Sequence, residues 1–225
     1  MKLNQRTKMI VCGIDESGRG PVIGPMVMGC VVLDDTGREK LAGLKIRDSK
    51  RVAPSRRLSL EPLIKEYALE WSLSKIYPQE IDLRRRKVSL NVIEAMKIAD
   101  LISSLHNNPD RIIVDAADSV AENFKNKIIW FLSKKGVPIP EIISEHKADD
   151  RYIEVSAASI LAKVERDREI EILKNKHGEF GSGYPSDEIT QEFVKNLVRN
   201  GELPDFVRRS WNTVNRKKQT TLDEF

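Results

Sequence analysis

The sequence predicts an α/β fold, a mixed five-stranded sheet flanked by helices and followed by a helical C-terminal lobe. Three observations carry that expectation. Short apolar runs alternate with stretches of helical periodicity up to about residue 150. Three strand-like segments come first and two strand–helix units follow, which suits a mixed sheet. From Val155 onward helical patterning dominates.

Taken in order, residues 10–14 form a continuous apolar run, the pattern of a strand covered on both faces, and residues 26–33 form a second. The glycine-rich loop between them turns the second back against the first. Residues 54–66 read as a helix with proline in its first turn, where its missing N–H is tolerated. Residues 69–77 alternate Leu69, Trp71 and Leu73 with polar neighbours, the period of a half-buried strand. Residues 90–105 are a helix, 111–115 a strand, 121–135 a helix and 141–144 a short strand. We expect a core over residues 1–154, a helical lobe over 155–214 packed on it without a linker, and a flexible tail over 215–225. No internal repeat or low-complexity segment stands out.

With 225 residues, the chain is long enough for one domain with a substantial core plus a helical appendage. Charged residues make up 32%, and 38 Lys+Arg against 34 Asp+Glu leave a net charge of only +4. A clustered basic face therefore matters more for nucleic-acid binding than the total. Cys12 and Cys30 lie in apolar strand-like runs and read as buried, reduced thiols. No apolar stretch approaches the roughly 20 residues that span a bilayer, and the N-terminus lacks an apolar secretory core. The expectation is a soluble, intracellular, cytoplasmic protein with no membrane partner.

Acids mark the ends of three apolar runs. Asp15 and Glu16 close the first, Asp115 closes Ile112-Ile113-Val114, and Asp149 follows Ile142-Ile143 within His146-Lys147-Ala148-Asp149. In an open α/β sheet, ligands bind at the carboxyl ends of the strands. Taken alone, Asp15-Glu16 also reads as an acidic turn beside ordinary loop glycines. Four acids converging there would raise one another's pKa values unless cations compensate them. Magnesium is held by one or two carboxylates plus phosphate oxygens, so four carboxylates suit two ions. Two ions about 3.5–4 Å apart stabilise both the attacking and the leaving oxygen of a phosphodiester. The pattern points to two-metal phosphoryl transfer.

Six blocks then resemble the type 2 ribonuclease H family, ribonuclease HII. They are Asp15-Glu16-Ser17-Gly18-Arg19-Gly20-Pro21, Asp48-Ser49-Lys50, Asp115-Ala116-Ala117-Asp118, the His146–Asp149 block, Ser156-Ala157-Ala158-Ser159-Ile160-Leu161-Ala162-Lys163 and Gly181-Ser182-Gly183-Tyr184-Pro185-Ser186-Asp187. They occur in the family's order across roughly residues 10–204, far more specific than any single motif. The archaeal branch is the most similar. Ser17 stands where the family usually has alanine, and residues 1–8 precede its usual start.

The resemblance implies a ribonuclease H fold and an endonuclease that hydrolyses RNA in RNA–DNA hybrids. It also implies cutting on the 5′ side of ribonucleotides embedded in duplex DNA, leaving 3′-hydroxyl and 5′-phosphate ends, with roles in removing misincorporated ribonucleotides and RNA primers. Asp15, Glu16, Asp115 and Asp149 would hold two Mg²⁺ or Mn²⁺ ions. The main chain of Gly18, Arg19 and Gly20 would read the 2′-hydroxyl, the group that separates RNA from DNA. Tyr184 would pack on the deoxyribose beyond the junction. Ser49, Lys50, Lys147, Ser156, Ser159 and Lys163 would contact substrate, the lysines on phosphate. Ser156, Ser159, Lys163 and Asp167 share one helix face by their spacing, while Ala157, Ile160, Leu161 and Val164 fall on faces able to pack on the sheet.

His146 adjoins Asp149 and could support that ligand or orient the scissile phosphate; a direct base role is disfavoured, since a metal-bound water would already supply the nucleophile. His106 and His177 sit near helix ends, where the dipole explains them. Asp48, Asp118 and Asp150 are further acids set aside only by the motif match. Gln219, Leu222 and Phe225 resemble the clamp-interacting motif of replication proteins, with one terminal aromatic, so the sliding clamp (PCNA) is an expected partner of a monomer. A junction resolvase or exonuclease on the same fold would share the acids but lack the glycine-arginine-glycine turn. A non-catalytic hybrid-binding or clamp-adaptor protein would bind without cutting.

Overall fold

The computed structural model describes residues 9–46, 52–201 and 203–215. Asp48, Ser49 and Lys50, and the tail residues Gln219, Leu222 and Phe225, lie outside the described residues. Five strands form one sheet: β1 (Val11–Ser17), β2 (Met26–Leu33), β3 (Glu70–Ile76), β4 (Arg111–Asp115) and β5 (Glu141–Glu145). Their spatial order is β3-β2-β1-β4-β5, with β4 parallel to both β1 and β5. This is the mixed five-stranded sheet expected. β1 and β2 are apolar because each is buried along nearly its whole length. β3 is an edge strand, and Trp71 on it stays half exposed beneath the Lys65 ammonium, 4.1 Å from the ring centre.

The helices among the described residues are α1 (Asp35–Gly43), α2 (Pro54–Tyr67), α3 (Pro78–Arg85), α4 (Leu90–Ser103), α5 (Ala121–Lys135), α6 (Ala148–Arg151), α7 (Ile153–His177) and α8 (Glu188–Arg199). Pro54 stands in the first turn of α2, as the sequence indicated. Gly136 closes α5 in the left-handed conformation, a common helix stop. Three elements were not foreseen from the sequence: α1, α3 and the single turn α6.

The described residues fall into two compact units. One lies within Met1–Glu16, Met28–Ser74 and Glu94–Val164, the other within Ser17–Val27, Lys75–Ile93 and Glu165–Phe225. Both are discontinuous in sequence, and Val155, the boundary expected from the sequence, falls in the first turn of α7. In the first unit, Ala157, Ile160, Leu161 and Val164 of α7 are buried with Val31, Leu33, Leu41 and Ile64. The backbone of α7 passes so close to β1 that a Cβ on Gly13 would lie 2.1 Å from the Glu154 carbonyl carbon. Only glycine permits that approach, and it brings the polar side of α7 to the acidic end of β1. Cys12 and Cys30 are buried in this unit as free thiols, their sulfurs 3.2 Å apart. The second unit has its own core of Val22, Ile23, Ile170, Phe180, Val194 and Phe206. No helix among the described residues is long and apolar enough to cross a membrane.

Candidate active site

Strand register assembles the acids. β1 and β4 pair in parallel from Val11↔Arg111 to Ile14↔Val114. One residue further, this register sets Asp15 level with Asp115. β4 pairs with β5 as far as Asp115↔Glu145. The chain then turns through His146 and Lys147 into α6, which carries Asp149. Lys147 makes that turn in the left-handed region, φ 57°, unusual for a side chain with a Cβ. Asp115 accepts the Ala148 N–H at 3.1 Å, tying the end of β4 to the start of α6.

Asp15 and Asp149 are buried, whereas Glu16 and Asp115 are partly exposed. Burial pushes the Asp15 carboxyl well above the usual carboxylate range, and the charges of Glu16, Asp115 and Asp149 push it further. Ser159 opposes this by hydrogen-bonding the carboxylate. Lys163 in turn donates to the Ser159 hydroxyl at 3.0 Å. Three of the four acids named from the sequence therefore act electrostatically on the fourth, the buried Asp15 carboxylate.

A cation would relieve that strain, and the donor set is all hard carboxylate oxygen, which suits Mg²⁺ or Mn²⁺. Among the described residues, no three His, Cys, Asp or Glu side chains are already closed around a common point. By their chemistry and their shared field, the residues fit a divalent ion.

The substrate-facing serines expected on α7 divide. Ser159 reaches the acids, but Ser156 is wholly buried and donates its hydroxyl proton to the Ile46 carbonyl. Ser156 thus holds the chain after α1; Ser159 is equally buried. Lys163 is partly exposed and Lys147 is exposed. His146 is exposed too, and its carbonyl accepts from Arg151 at 2.9 Å. His106 hydrogen-bonds Glu70, and His177 stacks on Phe206 with ring centres 4.4 Å apart. Asp118 pairs with Lys127, so it is spent on α5.

In the second unit, Tyr184 is held on a braced loop. Asp187, the N-cap of α8, accepts the N–H groups of Ser182 and Ile189 at 2.6 and 2.9 Å. With the Ser182 hydroxyl, these bonds hold its carboxyl down at about 2, below the ordinary 3.8. The bracing is therefore complete at neutral pH and lost only as pH falls toward 2. Buried Thr190 bridges Gly183 N–H and the Phe180 carbonyl. Arg166 donates to the Ser182 carbonyl and lies 5.2 Å from the centre of the Tyr184 ring. That ring lies along Gly20, where a Cβ would meet it at 3.5 Å. Arg19 reaches Asn91. Arg166 and Thr190 were not singled out in the sequence, and Asp187 entered only as the end of its motif block, although an aspartate before a periodic run is a recognisable cap.

A family model decides the relationship: Ribonuclease HII matches residues 12–214. The chain belongs to the ribonuclease HII family. That makes it a hydrolase of the ribonuclease H type, and the relatives are archaeal, as the sequence suggested. Ribonuclease HII of Methanobrevibacter smithii is 46% identical over 216 residues, covering 94% of this chain and 100% of that protein. The crystal structure of the ribonuclease H2 from Pyrococcus horikoshii OT3 is 42% identical with a TM-score of 0.85, over 95% of this chain and 99% of that one. Ribonuclease HII in a PCNA complex from Archaeoglobus fulgidus is 38% identical with a TM-score of 0.82, over 96% of this chain and 100% of that one.

Proposed function

We propose that this ribonuclease HII hydrolyses RNA in RNA–DNA hybrids and cuts on the 5′ side of single ribonucleotides in duplex DNA. The products carry 3′-hydroxyl and 5′-phosphate ends. The observation that carries this reading is that Glu16, Asp115 and Asp149 all press on the buried Asp15 carboxylate, where β1 and β4 run in parallel register. These four residues would hold two Mg²⁺ or Mn²⁺ ions. Held there, the ions would supply activation of a water and stabilisation of the leaving 3′-oxygen.

The chain's own residues do the rest. Ser159 orients the Asp15 carboxylate, and Lys163 polarises Ser159 while offering its charge to a substrate phosphate. Lys147 is exposed for a phosphate contact. Ser49 and Lys50 carry the same role from their motif alone. The main chain of Gly18, Arg19 and Gly20 reads the 2′-hydroxyl, and the Tyr184 ring packs on the following deoxyribose. The enzyme works as a cytoplasmic monomer in replication and repair, removing misincorporated ribonucleotides and RNA primers. In Mg²⁺ it is expected to nick a duplex with one embedded ribonucleotide and leave the all-DNA counterpart intact. Equal cutting of both duplexes points to a general nuclease, and binding without cutting to an adaptor.

The tail adds a partner. Gln219, Leu222 and Phe225 match a clamp-binding spacing, and a relative has been solved with PCNA. Binding the sliding clamp would raise the local enzyme concentration on DNA. Removing residues 219–225 is expected to abolish clamp binding in calorimetry while leaving clamp-free cleavage unchanged. Equal clamp affinity without the tail contradicts this.

A further inference from the structure

The three carbonyls of the glycine-arginine-glycine turn are all taken by two side chains from the far end of the sequence. Arg208 is fully buried. Its Nη2 donates to the Gly18 carbonyl at 2.6 Å, its Nη1 to the Arg19 carbonyl at 3.0 Å, and its Nε to the Gly24 carbonyl at 3.0 Å. Trp211 Nε1 donates to the Gly20 carbonyl at 3.0 Å. All six residues belong to the second compact unit. Charge-assisted bonds of this kind are the strong ones, and a guanidinium is the only side chain that forks over several acceptors in a fixed plane.

The consequence lies on the other face of each peptide. Every peptide bond described is trans, and a planar trans peptide points its N–H opposite to its C=O. With the Gly18 and Arg19 carbonyls turned to Arg208, the amides of Arg19 and Gly20 face away from it as two adjacent donors. Gly18 makes the turn at φ +84°, where a Cβ would also come within 2.8 Å of the Pro25 carbonyl. We propose that Arg208 and Trp211 are positioning residues for ribonucleotide recognition. They hold the Gly18–Gly20 turn so that its amides present one fixed donor geometry to the sugar 2′-oxygen. This rests on reading that turn as the 2′-hydroxyl sensor.

The clamp is separable from the fold around it. Main-chain bonds hold the segment independently: Arg208 N–H donates to the Val22 carbonyl at 2.8 Å, and the N–H groups of Arg209 and Ser210 donate to Asp82. The Trp211 ring also lies 4.7 Å from the Arg85 guanidinium and 4.8 Å from that of Arg208, contacts that phenylalanine keeps. Trp211→Phe therefore removes one N–H, and Arg208→Lys keeps the charge but loses the fork.

The test measures binding by fluorescence anisotropy, with metal chelated, to a duplex bearing one ribonucleotide and to its all-DNA counterpart. Thermal melts accompany it. The ratio of the two affinities is expected to fall about 5-fold in Trp211→Phe, the scale of one hydrogen bond. In Arg208→Lys it should fall by up to about 100-fold, the scale of an ångström's misplacement. All-DNA affinity should stay unchanged, because a merely structural loss would weaken both duplexes alike. A discriminating parent with equally discriminating folded variants overturns the proposal alone. A parent that binds both duplexes equally overturns the sensor reading and this inference with it. If Arg208→Lys does not fold, Trp211→Phe decides.

Discussion

Asp15→Asn and Asp115→Asn each lower hybrid hydrolysis by more than about 100-fold. Loss of groups that merely support metal ligands already costs roughly 10–100-fold, and these carboxylates are assigned as ligands themselves. The fold should survive both changes. Asparagine keeps an oxygen for the Glu16 N–H at position 15 and for the Ala148 N–H at position 115. At position 15 it also removes a buried charge that Glu16, Asp115 and Asp149 disfavour. Metal-free melting of Asp15→Asn is therefore expected at or above the parental temperature. Single-turnover cleavage in Mg²⁺, read beside circular-dichroism melts, checks both parts. Near-parental turnover by folded Asp115→Asn contradicts the site.

Tyr184→Ala cuts a duplex with one ribonucleotide far more slowly than the parent, whereas Tyr184→Phe keeps most of the rate. The ring is exposed on one side, backed by Arg166 and lying along Gly20. Stacking on an aromatic is worth about 1–3 kcal/mol, so the alanine variant should lose roughly 5- to 150-fold. Asp187 and Thr190 brace the loop without help from the tyrosine, so the loss reports on the ring and not on loop collapse. Equal rates for the alanine variant and the parent would reduce Tyr184 to a turn aromatic before Pro185.

Much of this was legible because buried parallel strands advertise themselves. β1 and β4 are unbroken apolar runs, and an acid ending such a run has one place to be, the carboxyl edge of the sheet. Register then made Asp15 and Asp115 neighbours. α1 was hidden because Gly37 sits inside it. That glycine is needed where a Cβ would come within 2.5 Å of the Tyr67 carbonyl, a tertiary contact with no local trace. α6 was hidden because four residues have no period to detect. α3 was readable after the fact, with Pro78 in its first turn and Arg84 and Arg85 in its last. Helical spacing gave Ser156 and Ser159 a shared face but not their different partners, the Ile46 carbonyl for one and Asp15 for the other. Arg208 left no signal either. In Phe206-Val207-Arg208-Arg209-Ser210-Trp211 it resembles its exposed neighbour Arg209, and its partners lie some 190 positions earlier.

The measurement that bears most directly on the account is end-mapping of the cut in a duplex with a single embedded ribonucleotide, in Mg²⁺. One nick is expected on the 5′ side of the ribonucleotide, leaving 3′-hydroxyl and 5′-phosphate, and none in the all-DNA duplex. A cut elsewhere, a 2′,3′-cyclic phosphate end, or cleavage of the all-DNA strand at a comparable rate would contradict it.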